Sequence, residues 1–142
     1  MPVKRSLVAA ALLSSAVLVN AADDSKVTFV SHEQVAKGGG LASAPSYSVT
    51  VIHRDKGGVV EVHDKETDTF YVVDGAATIV TGGTMLEGKV TAPGQQRGTD
   101  IRGGTAQKLV KGDVMVIPAG VPHWFKEVPK SVDYFVVKVT AP

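Results

Sequence analysis

Four side chains in this sequence have the types and spacing to share one metal ion: Glu61, His63, Asp68 and His123. Glu61 and His63 stand two apart in Val59-Val60-Glu61-Val62-His63, a β-branched run that predicts a strand. Positions i and i+2 of a strand share a face, about 6–7 Å apart. With Val60 and Val62 turned the other way, a carboxylate and an imidazole point where a barrel interior should be. Such groups are costly to bury uncompensated. A divalent cation compensates both. Asp68 opens the next strand after a short loop and can face back to the same point. His123 follows the rigid corner Pro118-Ala119-Gly120-Val121-Pro122, which sets its backbone direction. Taken singly, these residues read as core histidines, an exposed strand glutamate and a turn aspartate; together they point to ligation. The chain has no cysteine, so nitrogen and oxygen are the available donors.

The elements that must position these groups are short strands. Thr28 to Val30 predicts a strand. Ser31 with Gln34 predicts a capping box and one helical turn through Ala36. Gly38-Gly39-Gly40 ends the turn, and the stretch to Pro45 reads as loop. Residues 48–53 and 59–63 predict a hairpin about Asp55-Lys56-Gly57-Gly58. Thr69 to Val73 and Ala76 to Val80 predict two strands about an Asp74-Gly75 turn. Residues 85–106 read as irregular, long enough for a functional lid or a surface excursion. Residues 107–110, 113–117, 123–125 and 132–139 complete the strands. So many short strands with Gly and Pro turns, and little helical periodicity, predict an antiparallel sandwich or barrel.

The 142 residues suffice for one domain. Formal net charge is +1, with no basic cluster, which argues against nucleic acid or an anionic membrane as partner. The first residues read as a signal peptide, 1–21. Lys4 and Arg5 precede an apolar run from Leu7 to Val19, and Val19-Asn20-Ala21 offers small residues before cleavage at Ala22. That run is short of the ~20 residues a bilayer requires. Removing Lys4 and Arg5 leaves 13 basic against 14 acidic residues, a mature charge of −1. The expected organisation is a signal peptide, an N-terminal arm over 22–46 and a barrel over 47–142. The expected location is periplasmic or secreted, with no membrane contact after cleavage.

Two stretches resemble the motifs of the cupin family. The first, usually G-x5-H-x-H-x(3,4)-E-x6-G, corresponds to Gly57 through Asp68 and then Gly75. The second, G-x5-P-x-G-x2-H-x3-N, matches at Gly112, Pro118, Gly120 and His123 and departs at Glu127. The resemblance spans about residues 47 to 139. It implies an all-β cupin-type antiparallel barrel, or jelly roll, with one short N-terminal helical turn. It also implies a metal set of Glu61, His63, Asp68 and His123, with Glu61 in place of the first family histidine and Asp68 in place of the glutamate. Two carboxylates would neutralise a divalent ion and favour Mn²⁺, Fe²⁺ or Zn²⁺ over Cu⁺. Asp68 is a methylene shorter than glutamate, so a three-ligand site is the alternative. Glu66 lies nearby, although the spacing to Gly75 and the strand parity favour Asp68.

Around that set, Phe70 and Phe125 share the parity of Asp68 and His123 and should line the interior. His32 and His53 read as surface residues. Arg97 reads as a solvated loop cation or, if the loop covers the mouth, an anchor for an anionic substrate. The family includes dioxygenases, isomerases and lyases of small molecules, and also non-catalytic ligand-binding members. The first expectation is therefore a metal-dependent enzyme on a small organic molecule. The second is a non-catalytic cupin that binds a small ligand or uses metal only structurally. A homodimer paired through the N-terminal strand is expected in either case.

Overall fold

A computed structural model describes residues 23–142 of the chain. The expected signal peptide lies outside the described residues. Ser31 caps the helical turn α1 (His32–Ala36) through the full capping box with Gln34, as the spacing predicts. Twelve strands follow: β1 (Gly39–Ser43), β2 (Tyr47–Arg54), β3 (Val60–His63), β4 (Glu66–Thr81), β5 (Thr84–Leu86), β6 (Lys89–Ala92), β7 (Gln95–Gly98), β8 (Asp100–Arg102), β9 (Thr105–Val110), β10 (Val114–Ile117), β11 (His123–Glu127) and β12 (Val132–Thr140).

The pairing is antiparallel throughout. One sheet runs β1-β2-β12-β4-β10 and the other β9-β4-β11-β3-β7-β6. Strand β4 belongs to both. Its first half, through Gly75, pairs with β12 and β10, and its second half, from Ala76, pairs with β9 and β11. The jelly-roll barrel expected from the sequence is the observed architecture. Its core is Phe70, Val72, Ile79, Leu109, Ile117, Phe125, Val132, Tyr134 and Val136, with Ala77. Phe125 stacks on Tyr134 at 4.9 Å between ring centroids, and Phe70 meets both rings at 5.5 and 5.3 Å. Phe70 and Phe125 thus line the interior as their parity predicts.

Several local expectations are corrected. Thr28–Val30 forms no strand, and Gly39–Ser43 is strand β1 rather than loop. Strands β2 and β3 are not a hairpin: β2 pairs with β1 and β12, and β3 with β11 and β7. Asp74-Gly75 is a bend inside β4, not a turn between strands. The register slips by one residue between Asp133 and Tyr134, which leaves Val73 as an extra residue. Gly75 there has φ +77°, and this kink carries the strand from one sheet to the other.

The segment read as irregular holds β5 to β8. The β6–β7 pair widens the second sheet beyond β3. The β5–β8 pair lies against the outer side of that sheet. Met85 packs so closely on Gly98 that a Cβ there would stand 2.4 Å from its side chain. Gly98 is the register partner of Val60, which is wholly buried. The segment therefore seals the back of β3.

A methyl group at Gly75 would stand 2.1 Å from the Ser131 carbonyl oxygen, in addition to the strain of positive φ. Gly75→Ala should therefore lower stability by about 2 kcal/mol or more, read as a reduced urea midpoint.

Candidate metal centre

The barrel brings the predicted residues to one place by cross-strand register. His123 on β11 stands opposite Glu61 on β3, and Glu61 stands opposite Arg97 on β7, which faces Lys89 on β6. One row across the sheet therefore reads His123–Glu61–Arg97–Lys89. His63 faces Gln95 in the next row. From the other sheet, β4 presents Asp68, whose register partner on β12 is Lys138. The Gly120 N–H donates to the His63 carbonyl at 2.7 Å, so the proline corner is fastened to the strand that carries two of the four groups.

Both imidazoles turn the same atom inward. His63 Nδ1 pairs with the side-chain carbonyl of Gln95, and His123 Nδ1 donates to the Val121 carbonyl at 3.1 Å. An Nδ1–H held by a carbonyl leaves Nε2 as the bare donor atom. His63 Nε2 is buried with no hydrogen-bond partner. A buried polar atom in that state is rare in proteins and calls for a ligand. Glu61, His63 and His123 each bring one donor atom within 4.8 Å of the others, a geometry that fits a divalent ion. His63 and His123 are 8% and 3% exposed. The Phe70 ring, 6.4 Å from His123, supplies an apolar wall.

Asp68 reaches the same two ring nitrogens from the other sheet. It is 2% exposed, and one oxygen lies 3.5 Å from His63 Nε2 and 3.6 Å from His123 Nε2. Both its oxygens accept from Lys138 Nζ, at 2.7 and 2.8 Å. Glu66 sits on the opposite side of His63, 3.7 Å from Nδ1, and accepts from the Gln95 amide at 2.8 Å. It supports Gln95 and does not share the Nε2 side with the other donors. Arg97 is solvated, its side chain 60% exposed, but it lies on β7 rather than in a loop, 3.5 Å from Glu61, and lines a cleft of about 480 Å³ with Val59, Lys89 and Thr99. His32 is exposed, and His53 pairs with Asp133 at 2.7 Å on the surface, as surface residues would.

Sequence reasoning missed Lys138 and Gln95. Lys138 had a readable signal: it continues the inward parity of Val132, Tyr134 and Val136 on β12. Gln95 had none, because its strand lies in the segment read as irregular.

The electrostatics follow from burial and pairing. Burial pushes the His123 pKa below its ordinary 6.5. Burial pushes His63 the same way, but the Asp68 carboxylate outweighs it and raises the pKa above 6.5. Burial raises Asp68, while His63 and Lys138 together hold it below its ordinary 3.8.

The cupin family model matches residues 19–142, nearly the whole chain. The chain belongs to the cupin family. Solved structures agree on the fold. BH2720 from Bacillus halodurans is 13% identical with a TM-score of 0.59, over 85% of this chain and 87% of that one. The cupin domain of Cnp3 from Schizosaccharomyces pombe is 15% identical at 0.54, over 73% and 60%. KdgF from Halomonas is 17% identical at 0.52, over 74% and 80%. At these identities the likeness concerns the fold. No protein of curated function matches the chain. Cupins commonly bind a metal and small-molecule ligands, and this cupin has a His/Glu cluster suited to one.

A carboxylate whose folded-state pKa is depressed adds stability above its unfolded value and loses it as pH falls through the folded one. The stability gap between the metal-free protein and Asp68→Asn should therefore be full above pH 3.8 and shrink as pH falls further, measured by urea unfolding from pH 7 to pH 2.5.

Proposed function

We propose that this cupin is an exported metal-dependent enzyme acting on a small organic molecule, with its metal held by Glu61, His63 and His123. The observation that carries the reading is the buried, unpartnered Nε2 of His63, aimed at the same point as the Nε2 of His123. Gln95 and the Val121 carbonyl fix both rings in that orientation, so the donors are set before an ion arrives. Mn²⁺, Fe²⁺ and Zn²⁺ suit such nitrogen and oxygen donors. Bound there, a divalent ion supplies Lewis acidity, or redox chemistry with Fe or Mn, to the substrate.

The chain's own groups do the rest. Phe70 keeps one wall dry, which strengthens charge interactions at the site. Glu61, at 27% side-chain exposure, is the most open of the donors and marks the side of approach. The Arg97 cleft beside it is large enough for a small ligand. Export is supported by the basic-then-apolar start of the chain and the small residues before Ala22.

Metal analysis of protein purified without chelators tests the centre. About one equivalent of a transition metal is expected in the wild type and loss of it in Glu61→Ala, His63→Ala and His123→Ala, with folding checked by circular dichroism. A wild type that takes up no Mn²⁺, Fe²⁺ or Zn²⁺ leaves the non-catalytic ligand-binding cupin as the better reading. Metal uptake near pH 6.5 should also release protons, because His63 must lose the proton that Asp68 favours. Calorimetry in buffers of different ionisation enthalpy reads that release.

A homodimer is part of the proposal. Val27 and Phe29 are 98% and 86% exposed on the N-terminal arm, and β1 is a sheet edge. Sedimentation of residues 22–142 should give a dimer that Val27→Ser with Phe29→Ser weakens.

A further inference from the structure

The two imidazoles of the centre are held in different ways. His123 Nδ1 donates to the backbone carbonyl of Val121 at 3.1 Å. That carbonyl is fixed in the proline corner, where the Val121 N–H donates to the Pro118 carbonyl at 3.2 Å and Pro122 follows. His63 Nδ1 meets instead a side-chain amide, that of Gln95, its cross-strand partner on β7. A primary amide presents an acceptor on one side and donors on the other, and it can turn through half a rotation in the same space. With the carbonyl towards the ring, Nδ1 carries the proton and Nε2 is bare. With the NH₂ towards the ring, Nδ1 must accept and the proton sits on Nε2, where an Asp68 oxygen lies 3.5 Å away to receive it. Gln95 therefore selects between two tautomers of His63, and only one of them offers a ligand atom.

Glu66 decides which way Gln95 stands. Its carboxylate accepts from Gln95 Nε2 at 2.8 Å. A carboxylate only accepts, so the opposite orientation would set the amide carbonyl against it. The donors then run in one direction, Gln95 Nε2 to Glu66 and His63 Nδ1 to Gln95 Oε1, and His63 Nε2 is left without a partner. We infer that Glu66 is a latch on the metal centre: through Gln95 it holds His63 in the metal-binding tautomer without itself touching the metal. Glu66 lies 3.7 Å from Nδ1, on the side of the ring away from the other donors, and is thus a positioning residue. Only one of the two rings is governed in this way, because the partner of His123 is backbone. The inference rests on the metal centre proposed above for its consequence, whereas the tautomer is set in the metal-free protein.

The test reads both. Long-range ¹H–¹⁵N correlation spectra of the full mature protein, metal-free and at pH 9, report which ring nitrogen of each histidine carries the proton. Wild type should show Nδ1–H at His63 and His123. Glu66→Gln, which can donate as well as accept, should give a mixture of tautomers at His63 and leave His123 unchanged. Gln95→Leu should move His63 to Nε2–H. Zn²⁺ affinity, measured on the same samples, should fall about tenfold or more in each variant, and the double variant Glu66→Gln with Gln95→Leu should be no weaker than Gln95→Leu alone. The exchanged pair, Glu66→Gln with Gln95→Glu, puts the carboxylate against the ring and the amide behind it. It should restore Nδ1–H and Zn²⁺ affinity, which a merely structural role for Glu66 would not do, and it keeps the test valid if a single variant folds poorly. Nε2–H at His63 in the wild type, or a tautomer untouched by Glu66→Gln, overturns the latch whatever the protein binds. The expected tautomers in a wild type that takes up no Zn²⁺ uphold the latch on the ring and overturn the metal centre instead.

Discussion

The continuity of β4 through both sheets is the constraint on which the barrel depends. A strand that ended at Asp74-Gly75 would give two separate sheets with no reason to face one another. The kink at Gly75 lets one run of hydrogen-bonded backbone serve β10 and β12 before it and β9 and β11 after it. Phe70 and Val72 before the kink, and Ala77 and Ile79 after it, then meet in one core. The side chains that matter for chemistry arrive by the same route. Asp68 lies in the first half of β4, and β11, which carries His123, is aligned by the second half.

Around that frame, charge is arranged in matched pairs rather than pooled. Asp68 faces Lys138 and Glu61 faces Arg97, in each case as cross-strand partners. Register is a strong device here, because a slip of one residue would send an inward charge to the outer face. The histidines are treated differently. Each has its outer nitrogen tied to an oxygen acceptor, and the inner nitrogen of His63 is buried with no hydrogen-bond partner.

Much of this was readable from residue types and spacing. The two-residue separation of Glu61 and His63, the proline corner before His123 and the inward parity of Asp68 all describe short-range geometry, which strands express faithfully. The barrel class followed from the number of strands and turns. What was not readable depends on long-range pairing. Asp74-Gly75 carries the composition of a tight turn, but tertiary pairing on both sides pulls it into a bulged strand. The β2–β3 hairpin failed because β12, distant in sequence, takes the place beside β2. The 85–106 segment lacks alternation because its strands are short and half-exposed, so no periodicity marks them. Lys138 was within reach of parity reasoning, since a lysine in line with Val132, Tyr134 and Val136 must meet a buried anion.

The position of β12 also bears on the order in which the protein folds. It lies between β2 and β4, pairing with both along nearly its whole length. Until residues 132–140 are available, β2 and β4 have no common neighbour and Asp68 has no cation. Contacts between parts so far apart in the chain form late, since the loop must be closed before they are rewarded. The first sheet therefore cannot be completed before residues 132–140 are in place.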